Sequence, residues 1–160
     1  WGYDGHEFLS VNSRPWMGPK FWCPDMQGTA DGNNYKVFRY ADAILMAAEC
    51  LNELDRDEEA LVYLNKTRNR AGIGDYTYRT HIRLQDEIRN ERSRELFGEF
   101  QRKYDLVRWG TFYQVLSEST DYQARTDNLK PCHEYYPIPD KEVVYSKYAL
   151  DNKAYNACGL

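Results

Sequence analysis

Apolar residues recur through the middle of this chain with the period of a helix, in blocks separated by short polar breaks. Val37, Tyr40, Ala41, Ile44, Leu45, Ala48 and Leu51 follow i, i+3, i+4, i+7 spacing, which predicts an amphipathic helix starting near Val37. Asp55-Arg56-Asp57 reads as a connector, with Asp57 as N-cap and Glu58 and Glu59 in the first turn, near the positive end of the helix dipole. Ala60, Leu61, Leu64 and Ala71 line a second helix, and Gly72 stands where a left-handed residue closes such a helix. Helices joined this tightly must be antiparallel neighbours, and the spacing from Leu51 to Ala60 is that of a tetratricopeptide-like hairpin.

The pattern then lengthens. Leu84, Ile88, Leu96, Phe100 and Tyr104 step by four or eight residues, predicting a long third helix with Gly98 as its weak point. Arg108 to Leu116 should continue as helix after a bend at Gly110, and Ser117 to His133 is polar, aperiodic and loop-like. Tyr135-Tyr136-Pro137-Ile138-Pro139 must be extended, because a residue before proline is pushed out of the helical region. Asp140 caps a short helix through Val144, and the tail to Leu160 reads as irregular. Residues 1–35 stand apart: Gly-Pro, Cys-Pro and Asp-Gly turns alternate there with Trp, Tyr and Phe. The expected fold class is mainly α, tetratricopeptide-like hairpins with long irregular loops. It comprises an aromatic, loop-rich segment over 1–35 and a helical region over 36–160, one domain in all.

Length and charge narrow the partners. The 160 residues suit one domain. A net charge of -4 argues against nucleic acid, because the basic residues between Arg79 and Arg108 are interleaved with Asp86, Glu87, Glu91, Glu95, Glu99 and Asp105. Cys23, Cys50, Cys132 and Cys158 lack C-x-x-C spacing and only 3 His are present, so neither a metal nor a cofactor is expected. A Cys132–Cys158 disulfide and unpaired thiols are both compatible with the spacing. The longest apolar run, Ala43 to Ala48, is too short to span a bilayer. A start at Trp1 without a leader reads as a processed product or a fragment.

Three constellations could carry chemistry. Glu91 and Glu95, one turn apart, could form an acid/base pair, but Arg92, Arg94 and Arg102 stand ready to neutralise them, and the paired-face reading is preferred. Asp105, Arg108 and Trp109 could cluster through a bidentate ion pair and guanidinium–indole stacking; Trp109 could also be a sugar platform, with packing the better reading. The segment holding Tyr3, Asp4, Arg14, Trp16 and Trp22 offers flat aromatic faces beside hydrogen-bonding groups, which suits sugar rings. A cover over one end of the helical core explains these aromatics equally well. No phosphate loop, H-E-x-x-H or G-x-S-x-G occurs, and Asn65-Lys66-Thr67 matches a glycosylation sequon only in mid-helix.

Four segments, in order, carry a family likeness: RYADAILMAAECLNEL, EALVYLNKTRNRAG, IRNERSRELFGEFQRKYDLVRWG and YYPIPDKEV. Together they resemble the SusD/RagB family of outer-membrane nutrient-binding proteins of Bacteroidetes-type bacteria. The likeness covers Tyr35 to about Tyr155 and departs at Asp151-Asn152-Lys153-Ala154-Tyr155, where the family closes on Q-N-P-G-Y. It implies the C-terminal part of a longer, lipid-anchored cell-surface protein without enzymatic activity. Such a protein lies as a lid over a TonB-dependent, SusC-like transporter and captures oligosaccharides or peptides. The lipid-bearing cysteine would lie outside these residues, and apolar faces here would dock on the missing N-terminal portion. On this reading Tyr3, Asp4, Arg14, Trp16 and Trp22 bind ligand. Arg39, Glu49, Glu91, Arg92, Glu95, Asp105, Arg108 and Trp109 hold the fold. The alternatives are a peptide- or protein-interaction module on the hairpin and a hydrolase using Glu91 or Glu95.

Overall fold

A computed structural model describes Lys20 and residues 36–77, 80–118 and 128–158. The chain divides into two units, Trp1–Val37 and Phe38–Leu160; nearly all described residues belong to the second. There the elements run α1 (Tyr40–Glu53), α2 (Asp57–Arg70), α3 (His81–Glu95), α4 (Arg102–Arg108), α5 (Phe112–Ser117), a 3₁₀ turn (Pro131–Glu134), α6 (Asp140–Tyr145) and α7 (Lys153–Ala157). The described residues contain no β-strand, so the fold is mainly α, in keeping with a tetratricopeptide-like arrangement.

The core lies where α1, α2 and α3 meet. Leu45 and Ala48 of α1, Ala60 and Leu64 of α2, and Leu84 and Ile88 of α3 are all essentially inaccessible. Alanines among these leucines keep the facing helices close, since interaxial distance follows side-chain size at the contact. Leu51, Leu61, Tyr63 and Tyr76 pack around this cluster.

Four helices end in one hydrogen-bond pattern. After α2, Gly72 N–H donates to Asn69 and Ile73 N–H to Arg68; after α4, Gly110 N–H donates to Val107 and Thr111 N–H to Leu106. These are Schellman closures, which require a left-handed residue after the cap, and both glycines take it at φ +72° and +67°. The same bonds close α1 through Asp55 and Arg56, and α6 through Lys147 and Tyr148. There the left-handed position falls to Asp55 (φ 58°) and Lys147 (φ 54°), residues that carry a Cβ.

Several details differ from the sequence expectations. α1 starts at Tyr40, and Val37 and Tyr40 are 73% and 77% exposed, so the first steps of the apolar pattern do not enter the core. Asp42, Glu49 and Asn52 are buried instead. Asp57 opens α2 with Arg56 at the cap position, and its carboxylate accepts from Asn52 Nδ2 (2.7 Å) rather than capping its own helix. The long third helix is interrupted: α3 stops at Glu95, and Gly98 and Phe100 both have positive φ before α4 begins. This reversal turns the buried Glu99 back toward Arg39. The tail contains α7, beginning within the segment that departs from the family pattern. Cys132 and Cys158 form a disulfide.

Candidate functional site

The charged blocks of α1, α3 and α4 converge on one buried ion-pair network. Arg92, from α3 and 4% exposed, donates from Nε and Nη2 to the two oxygens of Asp105 (3.0 Å each) and from Nη1 to Asp42 Oδ1 (2.9 Å). A guanidinium presents its donors in a planar fork, so one arginine can tie carboxylates from α1 and α4 simultaneously. Arg108 repeats the device at the edge, donating to both oxygens of Glu49, one at 2.6 Å, and to Asp105 Oδ1 at 2.9 Å. The Trp109 indole N–H donates to Glu49 at 2.6 Å. The guanidinium groups of Arg89, Arg102 and Arg108 lie 5.0, 5.7 and 4.9 Å from the indole ring. A carboxylate at its N–H edge and guanidinium groups beside its ring tie Trp109 into this network.

Electrostatics follow from these contacts. Burial pulls the Glu49 carboxyl upward, but hydrogen bonds from Arg108 and Trp109 and the charges of Arg108 and Arg92 outweigh it and hold Glu49 below the ordinary carboxylate range. Arg108 is raised, chiefly by its hydrogen bonds to Glu49, against desolvation. Burial lowers Arg102.

A second set joins α2, α3 and the start of α1. Arg39 donates to Glu99 (2.9 and 2.7 Å) and to Glu95 (2.9 Å), and Arg70 also pairs with Glu95. Glu91 is held by Arg94 at 2.7 Å and lies 3.7 Å from Arg68, which donates to Glu87. Glu91 and Glu95 are therefore both clamped by guanidinium groups. A carboxylate so placed has its oxygens committed to guanidinium donors. Among the described residues no group of three or more His, Cys, Asp or Glu is placed to hold a metal ion.

The predicted ligand-binding residues Tyr3, Asp4, Arg14, Trp16 and Trp22 lie outside the described residues. The other eight named positions fall into the two networks: Glu49, Arg92, Asp105, Arg108 and Trp109 in the first, Arg39, Glu91 and Glu95 in the second. Sequence reasoning missed Asp42, although it stands two helical turns before Glu49 on one face of α1. It also missed Asn52, which is fully buried and reaches Asp57 and, at 3.2 Å, the Nδ1 of His81. An open groove of about 710 Å³ runs along the first network, lined on the α1 side by Met46, Glu49 and Cys50 and on the other by Tyr104 and Arg108. No helix among the described residues is long and apolar enough to cross a membrane.

Comparison with known proteins agrees with this architecture. The SusD family profile matches residues 23–155. SusD-like protein P25 of Formosa agariphila is 37% identical over 155 residues, covering 89% of this chain and 28% of the relative. SusD-like protein P2 of the same organism is 34% identical over 167 residues, covering 94% of this chain and 32% of the relative. The chain thus spans about a third or less of the length of these relatives. No solved structure matches it significantly. The family match covers most of the chain, including the helices whose arginines and carboxylates form both networks, and this chain therefore belongs to the SusD family.

Proposed function

We propose that this chain is part of a non-catalytic, lipid-anchored cell-surface protein that binds oligosaccharides for uptake through a TonB-dependent, SusC-like transporter. Family membership supports the reading, since SusD family proteins are generally non-catalytic binding proteins. The observation that carries it within the chain is the closure of the charged blocks on themselves. Glu91 and Glu95, the residues best placed for acid/base work, are clamped by Arg94, Arg39 and Arg70. The acidic side chains thus serve the scaffold, and ligand binding falls to aromatic surfaces. Trp16, Trp22 and Tyr3 supply platforms for sugar rings, and Asp4 and Arg14 supply hydrogen bonds to their hydroxyls. The Cys132–Cys158 disulfide suits an oxidising location such as a cell surface.

Affinity-gel electrophoresis of the full-length parent protein against a polysaccharide panel tests this reading, with Trp16→Ala and Trp22→Ala beside it. Retardation on one polysaccharide, lost in either variant without a change in melting temperature, is the expected result. Failure to bind any glycan would turn the reading toward peptide capture. Product release from an oligosaccharide, abolished by Glu91→Gln or Glu95→Gln, would overturn the non-catalytic assignment.

A further inference from the structure

The first network holds more guanidinium groups than carboxylates. Arg92 and Arg108 occupy both oxygens of Asp105, and the same two arginines engage Asp42 and Glu49. Arg89 and Arg102 are left over. Among the described residues neither has a carboxylate within ion-pair distance, and both lie against the Trp109 ring, 5.0 and 5.7 Å from its centroid. An indole face attracts a guanidinium but offers no oxygen to accept its N–H groups. The Arg89 Nε–H is accordingly buried without an acceptor, and Arg102 is exposed. In a chain of net charge -4 this is a local surplus of positive charge.

Arg102 also lines a recess of about 360 Å³ where α3 gives way to α4. Phe97 and Phe100 stand on its walls, 48% and 76% exposed, and Ser93 adds a hydroxyl. Phe100 holds φ 60°, a strained conformation for a bulky residue and one that clusters at ligand sites. The volume falls at the lower end of the range for ligand sites. Aromatic walls suit the C–H faces of a sugar ring, and an unpaired guanidinium suits an oxyanion. A neutral sugar would leave the surplus charge unmet, and the acidic chain disfavours nucleic acid as the source of the anion.

We propose that this recess binds an acidic sugar, whose carboxylate or sulfate ester Arg102 holds through charge-assisted hydrogen bonds while Arg89, on the same indole, adds positive charge. The inference rests on the oligosaccharide-binding reading and names the class of sugar.

The test is affinity-gel retention of the full-length parent on three sets of polysaccharides. Alginate and polygalacturonate carry carboxylates, carrageenan and dextran sulfate carry sulfate esters, and dextran and galactan are neutral. One anionic set should retain the protein, and which one does so assigns the oxyanion. Arg102→Gln should weaken that retention roughly tenfold or more, the loss of a charge-assisted hydrogen bond. Arg89→Gln should weaken it less, and Arg102→Lys should recover part of it. Arg83→Gln removes an exposed charge elsewhere on α3 and should change nothing, which separates this site from general attraction to polyanions. Should Arg102→Gln lower the melting temperature, the same comparison is read from Arg102→Lys and Arg89→Gln. Retention on neutral polysaccharides alone would overturn this inference and leave oligosaccharide binding standing. So would anionic retention that Arg102→Gln weakens no more than Arg83→Gln does. Absence of retention on every polysaccharide would overturn both.

Discussion

Arg92 binds carboxylates from two other helices, and its removal would leave Asp42, buried at 5% exposure, without this counter-charge and Asp105, at 4%, paired with Arg108 on one oxygen. Breaking a buried pair from one side costs about 3–5 kcal/mol, more than the intact pair contributes, because the surviving charge stays desolvated. Arg92→Met should therefore lower the unfolding free energy by that order, read from urea denaturation, and Arg92→Lys should recover little, since an ammonium cannot span both acids as a fork does. A loss below about 1 kcal/mol, within the range of an exposed pair, would mean that the network is open to water. Glu49 gives the corresponding pH dependence. Its folded pKa lies below the unfolded value, so its contribution is complete above the carboxylate range and disappears as pH falls through the lowered value. Acid unfolding should become less steep in Glu49→Gln, measured by circular dichroism between about pH 2 and 6. An unchanged acid limb would remove Glu49 from the explanation.

Helix ends set the path of the chain between elements. Gly110 closes α4 at φ +67° with nothing within 4 Å of the position a Cβ would take, so Gly110→Ala isolates backbone strain from steric clash. It should cost roughly 1–2 kcal/mol, the penalty for a Cβ in the left-handed region. Lys147 is the mirror case: at φ 54° it fills a glycine's role after α6, and Lys147→Gly should stabilise α6. A thermal melt in which Gly110→Ala is neutral, or Lys147→Gly lowers the midpoint, would contradict the closure geometry. The capping glycine after α2 was legible in the sequence because Gly follows the last periodic residue, whereas Gly110 read as a bend within a continuing helix. Asp55 and Lys147 were not legible, since neither residue type announces a left-handed backbone. The break between α3 and α4 was signalled only by Gly98, whereas Phe100, with φ 60°, carries no such signal.

Across the second unit, stability is unevenly distributed. The α1–α2–α3 cluster is dry, whereas the 3₁₀ turn, α6 and α7 have no buried residue. This C-terminal stretch is held by the Cys132–Cys158 disulfide and by Asn152, whose side chain exchanges two 2.8 Å bonds with the backbone of Ile138. Lys103 adds a further tie, its ammonium 3.6 Å from the Tyr136 ring centroid. A cross-link across a sequence separation of 26 is worth about 3–4 kcal/mol in chain entropy. Reduction by dithiothreitol should therefore raise amide exchange across 131–158 and leave Leu45, Leu64 and Leu84 protected. Uniform loss of protection in both regions would show that the stretch and the core unfold as one unit.

The sequence by itself determined the first two helices, where their hairpin turns and that charges of the third helix would be paired. These are local properties: a helical period, a glycine after a cap and an i, i+4 alternation are all written within a few residues. Glu91 and Glu95 could be read as neutralised because cations surround them in sequence. Which cations would do so was decided only by tertiary structure. Arg39 meets Glu99 across 60 residues, Arg92 meets Asp42 across 50 and Arg108 meets Glu49 across 59. Those partnerships depend on how the helices pack, and α1 meets α2 and α3 through Leu45, Ala48, Ala60, Leu64, Leu84 and Ile88. The same packing buries Asp42 and Asn52 on a face that the apolar pattern alone would have left to Val37 and Tyr40.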